Sequence, residues 1–166
     1  MSQLGQPEEG GAEYERALEI QTKLTSQFPA VHQYQVDFGG NCCNYGIVIR
    51  DGGKPSESLA WFDKAIETLQ RVFEKEARDT LARDYLVASY QSRAATYDRL
   101  ERFAEAIDDC DKAIELTSAA QGRRLRVSRA FSRLNAGQVA EAVAEVAALA
   151  AREAGGPGTP DWTAHD

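Results

Sequence analysis

Three stretches of the chain repeat one order of apolar and polar positions. YERALE (Tyr14–Glu19), FDKAIE (Phe62–Glu67) and CDKAIE (Cys110–Glu115) each begin on a large or soft residue, continue through an acid, a base, an alanine and a branched aliphatic, and finish on glutamate. The alanines Ala17, Ala65 and Ala113 stand 48 residues apart each time. Between the blocks Val and Ile never alternate with polar residues as a half-buried strand requires, and Glu, Ala, Leu, Arg and Lys dominate. The pattern is therefore helical, and a fixed internal period is the feature that decides how the helices are arranged.

Turn signals recur in step with the blocks. Gly5 and Gly53 each precede a block alanine by twelve residues, and each is followed two residues later by proline, Pro7 and Pro55. Glycine closes a helix in the left-handed conformation, and proline suits the first turn of the next one. In the third copy Glu101 and Phe103 occupy these places, so the turn there is less strongly written, and Gly137 restores the glycine in the fourth. These signals predict seven helices, over residues 7–27, 31–51, 55–75, 78–100, 103–118, 120–135 and 138–153, joined by connections short enough to make neighbours antiparallel. Gly155–Asp166 is rich in glycine and proline and is expected to form a flexible tail, with Trp162 its one odd residue.

Small residues recur at fixed offsets as well. Gly10, Ser58 and Ala106 stand seven before the block alanines, and Gly46, Ala94 and Ala130 stand seven before the turn positions. Slim side chains at such points let two helix backbones approach while larger neighbours fill the grooves. Each unit then reads as a helical hairpin that cannot bury its apolar face alone and is stabilised by the next.

These residues resemble the tetratricopeptide repeat family, whose first helix carries a small residue late and an aromatic three on, and whose second carries alanine, aromatic, alanine. Copy three matches with Ala94 and Tyr97, then Ala106, Cys110 and Ala113; copy two with Gly46 and Ile49, then Ser58, Phe62 and Ala65. Copy one retains only a second helix, and copy four gives Ala130 and Arg133, then Ala142, Val146 and Leu149. The resemblance implies an all-α fold, a right-handed superhelical array of antiparallel helix pairs over residues 1–154, with repeats near 4–29, 30–77, 78–118 and 119–154. The family's usual period is about 34 residues; here it is 48 twice and then 36. Longer helices in the longer copies, as in kinesin-light-chain-like repeats, account for that. The wording of the first two copies is similar to repeat regions found C-terminal to bacterial serine/threonine protein kinases, although no kinase signature is present. The opening at Leu4–Gly5, where a first helix is missing, is expected of a piece of a larger protein.

In such arrays the first helix of each pair lines a concave face, so the resemblance places Asn44, Ile47, Arg50, Gln91, Asp98, Arg124 and Phe131 in a groove for a peptide. Asn44 suits contact with a peptide backbone because an amide both donates and accepts; it serves equally as a solvated or packing residue. The family's clamp for chaperone tails needs a Lys/Asn/Arg set where this chain has Cys43, Ile47 and Gln91, so that function is not implied.

Charge adds one further candidate. GRRLRVSRAFSR contains Arg126, Arg129 and Arg133 on one helical face, with no acid between Glu115 and Glu141. Such a row can grip carboxylates or phosphates, favouring an acidic or phosphorylated partner, or it can pair with the acids of neighbouring helices, among them Asp108, Asp109, Asp111 and Glu115. A net charge of −7 speaks against a nucleic-acid surface. No apolar run reaches the length of a membrane span, and MSQLGQPEEGG has neither a basic start nor an apolar stretch, so a cytoplasmic location is expected. Three cysteines and two histidines at unsuitable spacings make a metal site or other cofactor unexpected. With no nucleophile elbow, helix-borne histidine pair or phosphate loop, a non-catalytic binding module is the leading expectation, self-association or spacing through exposed end helices the alternative, and a small all-helical enzyme a distant third.

Overall fold

The computed structural model describes the backbone of residues 6–118 and 121–154 and the side chains of 13–118 and 121–151. Seven helices make up the secondary structure of the described residues: α1 (Gln6–Gln27), α2 (His32–Asp51), α3 (Pro55–Lys75), α4 (Thr80–Arg99), α5 (Phe103–Glu115), α6 (Arg123–Asn135) and α7 (Val139–Ala154). Each packs on its neighbours in sequence, and α2 also touches α4 directly. The result is an all-α array of helix pairs. The 155–166 tail, Trp162 and the first turn glycine, Gly5, lie outside the described residues.

The three remaining turns are one structure repeated. Gly53 donates to the Arg50 carbonyl at 3.1 Å while Lys54 reaches back to Ile49 at 3.1 Å. Glu101 and Arg102 make the same two bonds to Asp98 and Tyr97, and Gly137 and Gln138 to Leu134 and Arg133. This is the paired closure of a Schellman motif, which needs a residue at positive φ. Gly53 and Gly137 supply it at +86° and +80°, and Glu101 adopts +58° without glycine's freedom. The turn that the sequence writes weakly is therefore built like the others.

Between Gly53 and Glu101 lie helices of 21 and 20 residues; between Glu101 and Gly137 both helices have 13. That difference shortens the period from 48 to 36. The ends differ from expectation at the α5–α6 junction, where the last turn of α5 and the first of α6 are replaced by local bonding. Thr117 Oγ1 donates to Ile114 O at 3.0 Å, and Gln121 Oε1 accepts from the Ser118 backbone and hydroxyl. Hydroxyl and amide side chains compete there with the helical backbone. Likewise α4 starts at Thr80, because Asp79 caps it by accepting from Ala82 N at 2.9 Å.

Slim residues sit where helices touch. A methyl added at Gly46 would lie 2.8 Å from Phe62, and one at Gly40 2.9 Å from the Tyr85 ring. Ala94, Ala106 and Cys110 form the matching contact of the next pair, with Tyr97 beside them. Of the block alanines, Ala65 and Ala113 are fully buried and Ala17 is half-buried. The main core runs continuously from Leu18 on α1 through Phe62, Leu69 and Leu86 to Leu125 on α6.

Candidate functional site

One side-chain arrangement follows the repeat and was not foreseen from the sequence. Arg93 on α4 donates through Nε and a terminal nitrogen to both oxygens of Asp109 on α5, at 2.7 Å each, and through its other nitrogen to Asp63 on α3 at 2.5 Å. Thirty-six residues on, Arg129 on α6 holds Glu145 on α7 and Asp111 on α5. Forty-eight residues before Arg93 stands Tyr45, whose hydroxyl donates to Glu15 on α1 at 2.6 Å and whose ring packs edge-on to Trp61. In all three cases a first-helix side chain reaches an acid on the preceding second helix, Glu15, Asp63 or Asp111. The register of one unit on the last is thereby fixed by a polar hook.

The Arg93 site is the most enclosed of the three. The arginine side chain is 13% exposed and the Asp109 carboxylate 3%. Burial opposes the guanidinium's charge, but the bonds to Asp109 and Asp63 outweigh it, and its pKa lies above the ordinary value. The Tyr90 and Tyr97 rings flank it at 5.7 and 5.8 Å. At Tyr45, burial and then the bond to Glu15 push the phenol up to about 12.

The basic row has the same origin. Arg126, Arg129 and Arg133 do share a face and line one cleft of about 480 Å³ with Glu141 and Glu145. Arg129 and Arg133 both hold Glu145, whose side chain is 7% exposed. Asp111 is the foreseen acid that takes part; Glu145 was missed. Asp108 is exposed, and Asp109 belongs to Arg93.

The seven groove candidates separate into three groups. On α2 the expected concave face is largely covered by α4. Arg50, 12% exposed, donates to Asp51 at 2.9 Å and to the Ser92 carbonyl at 3.4 Å. Ile47 packs against the core, and Asn44 is half-buried. Cys43 lies beside Ser89 and Ser92, its thiol pushed up by burial. Asp98 is turned between α4 and α6, where Oδ2 accepts from Ser132 at 3.0 Å and Oδ1 is buried with no partner among the described residues. Desolvation raises its pKa. Gln91 and Arg124 face each other across an open cleft of about 270 Å³ between α4 and α6, floored by Val87, Ala88 and Leu125 and edged by Gln121. Phe131, 58% exposed, points the other way, onto the outer end of the array.

The remaining chemistry is sparse. All three cysteines are unpaired and buried, and burial pushes Cys42 and Cys110 up to about 12, so their thiolates are scarce. Among the described residues no His, Cys, Asp or Glu side chains gather as a metal site would need, and no helix is long and apolar enough to cross a membrane.

Comparison with known proteins places the arrangement. Residues 87–119 match the model of the tetratricopeptide repeat family, a span that takes in Ala94, Tyr97, Ala106, Cys110 and Ala113. That match covers one unit of the array, and the chain as a whole is an all-α helical-repeat array. The crystal structure of BtubC (BKLC) from P. vanneervenii superposes with a TM-score of 0.62 at 15% identity, covering 93% of this chain. This chain spans 63% of that protein's length. The structure of MamA matches at a TM-score of 0.39 and 16% identity, over 90% of both chains. No curated protein matches the chain. The BtubC likeness fixes the tetratricopeptide-type solenoid fold.

Proposed function

We propose that this chain is a non-catalytic protein–protein interaction module that holds an extended peptide in the cleft between α4 and α6. The observation that supports this is the cleft itself. The first-helix face, closed on α2 by α4, stays open between Gln91 and Arg124 over an apolar floor of Val87, Ala88 and Leu125. An amide on either edge, Gln91 and Gln121, can pair with a peptide's N–H and C=O groups, and the floor takes its apolar side chains. Arg124 adds positive charge and favours a peptide with a carboxylate or phosphate at that point, since Asp84, the acid lining the cleft, is held by Arg83 at 3.1 Å. The row of Arg126, Arg129 and Arg133 is a weaker anion site, because a ligand there must displace Glu145. The wording of the repeats supports a kinase-linked signalling setting for the module.

The test is selection of binders from a displayed random-peptide library, followed by titration. A peptide recovered on the native protein should lose at least about tenfold in affinity for the Gln91→Ala/Arg124→Ala double variant, as removal of one charge-assisted contact and one amide implies. Equal affinity for the variant, or no selectable peptide, would count against the cleft as the site.

A further inference from the structure

Successive first helices are joined at one repeated position. Arg50 on α2 and Asp98 on α4 stand 48 residues apart, one period, and each reaches the next first helix. Arg50 donates to the Ser92 carbonyl on α4 at 3.4 Å, and Asp98 Oδ2 accepts from the Ser132 hydroxyl on α6 at 3.0 Å. The two joints differ in chemistry. Arginine keeps its charge at every pH a folded protein meets, and Arg50 has a counter-ion in Asp51 at 2.9 Å. Aspartate changes charge in the acid range, and among the described residues the Asp98 carboxylate meets one donor, Ser132, leaving Oδ1 buried without a partner. The interface that closes the α2 groove is thus joined by a permanent cation, and the interface that borders the open cleft by a titratable acid.

The charged groups around Asp98 are engaged elsewhere. Arg99, its neighbour in sequence, holds Asp51 on α2 at 3.2 Å, and Arg50 holds the same acid. Arg93 on α4 holds Asp109 on α5 and Asp63 on α3. From α6, Arg129 is taken by Glu145 and Asp111, and Arg133 by Glu145. The further titratable neighbour on α5 is Cys110, whose thiol the Asp98 charge helps to push up. A protonated Asp98 is uncharged and fits this place. An ionised one has an oxygen shut away from both donors and water, a state that costs free energy and is relieved when water enters. Desolvation accordingly sets its pKa above the ordinary carboxylate value.

Water reaches Oδ1 when α6 draws back from α4. Gln91 and Arg124, on either side of the cleft, precede Asp98 and Ser132 by seven and eight residues. That is about 10–12 Å along stiff helices, so movement at the joint is carried to the cleft. We infer that Asp98 is a proton-sensitive latch: protonated, it holds α4 and α6 together and the cleft narrow; ionised, it lets α6 draw back and the cleft widen. On the reading of that cleft as the peptide site, affinity falls as pH rises, because a groove held at one width needs less ordering on binding.

The test reads the width of the cleft with no peptide present. Nitroxide labels are placed on Asp84→Cys and Arg124→Cys, exposed residues that line the cleft from α4 and α6, while the native cysteines are buried and unreactive. Between pH about 4 and about 8 the dipolar distance should grow by about 1–2 Å, the scale of helix shifts at packed interfaces. Asp98→Asn keeps an acceptor for Ser132 without the charge and should hold the short distance throughout. In parallel, a library-selected peptide is titrated against the unlabelled native protein and Asp98→Asn, so that the peptide's own ionisation cancels. Relative to the variant, the native protein should lose at least about threefold in affinity from the lower to the higher pH. A distance that moves without a matching loss of affinity upholds the latch and tells against the cleft as the peptide site. The latch is overturned by a native distance that stays constant with pH, or by the same change in Asp98→Asn.

Discussion

Single side chains decide most where polarity is buried. Asp109 is almost wholly enclosed and depends on Arg93 for both of its oxygens. Removing one partner of such a pair leaves an uncompensated buried charge, so Arg93→Ala should lower unfolding free energy by about 3 kcal/mol or more in urea titration. Arg71, whose pairing with Glu67 lies on the surface, should cost under about 0.5 kcal/mol when made alanine. Equal losses would mean that the hook is ornamental. Asp98 works in the opposite sense. Its folded pKa lies above the ordinary carboxylate value, so its protonated form is favoured in the fold and stability is lost as pH rises through that range. Asp98→Asn keeps an acceptor for Ser132 and removes the buried charge. It should stabilise the protein by roughly 1 kcal/mol at neutral pH, with the advantage vanishing below pH about 4, in melts recorded across pH. A variant no more stable than the native protein at pH 7 would refute that reading of Asp98.

At the scale of the element, helix positions and types were legible in the sequence because block alanines, small residues and turn glycines all obey one register. Only ends controlled by side-chain bonding, at Asp79 and at Thr117–Gln121, departed from the periodicity. The Schellman turn at Glu101 is the exception that tests the rule. A non-glycine residue at positive φ carries strain of roughly 1–2 kcal/mol, partly offset because glycine loses more freedom on folding. Glu101→Gly should therefore raise the melting temperature or leave it unchanged, whereas Gly53→Ala should lower stability by about 1 kcal/mol, although a methyl there would touch nothing. If both substitutions destabilise alike, the two turns are not equivalent. Beyond the pairing of Arg129 with Asp111, the repeat of the hooks was not legible for a simple reason. Tyr45, Arg93 and Arg129 share a structural position but not a side-chain type, and their acids lie 30, 30 and 18 residues upstream.

For the whole molecule, the number of helices and their stacking followed from the period, but which first-helix residues stay open did not. Openness depends on how closely the next unit approaches, and that is set by contacts such as Gly40 on Tyr85 and Arg50 on Ser92. The close approach of α4 closes the expected groove on α2. The shorter α5 and α6 leave the α4–α6 cleft accessible, and Phe131 falls on the end face because no further helix follows α7 among the described residues. The array therefore presents two surfaces of different chemistry: an amide-edged cleft between α4 and α6 and an apolar face on α6 and α7.

The claim that the first-helix cleft is the recognition site is tested most directly by amide NMR of the isotope-labelled protein titrated with a library-selected peptide. Shift changes should concentrate on α4 and α6 around Val87, Gln91, Arg124 and Leu125. Changes confined to the outward faces of α3 and α5, or spread evenly over the chain, would contradict it.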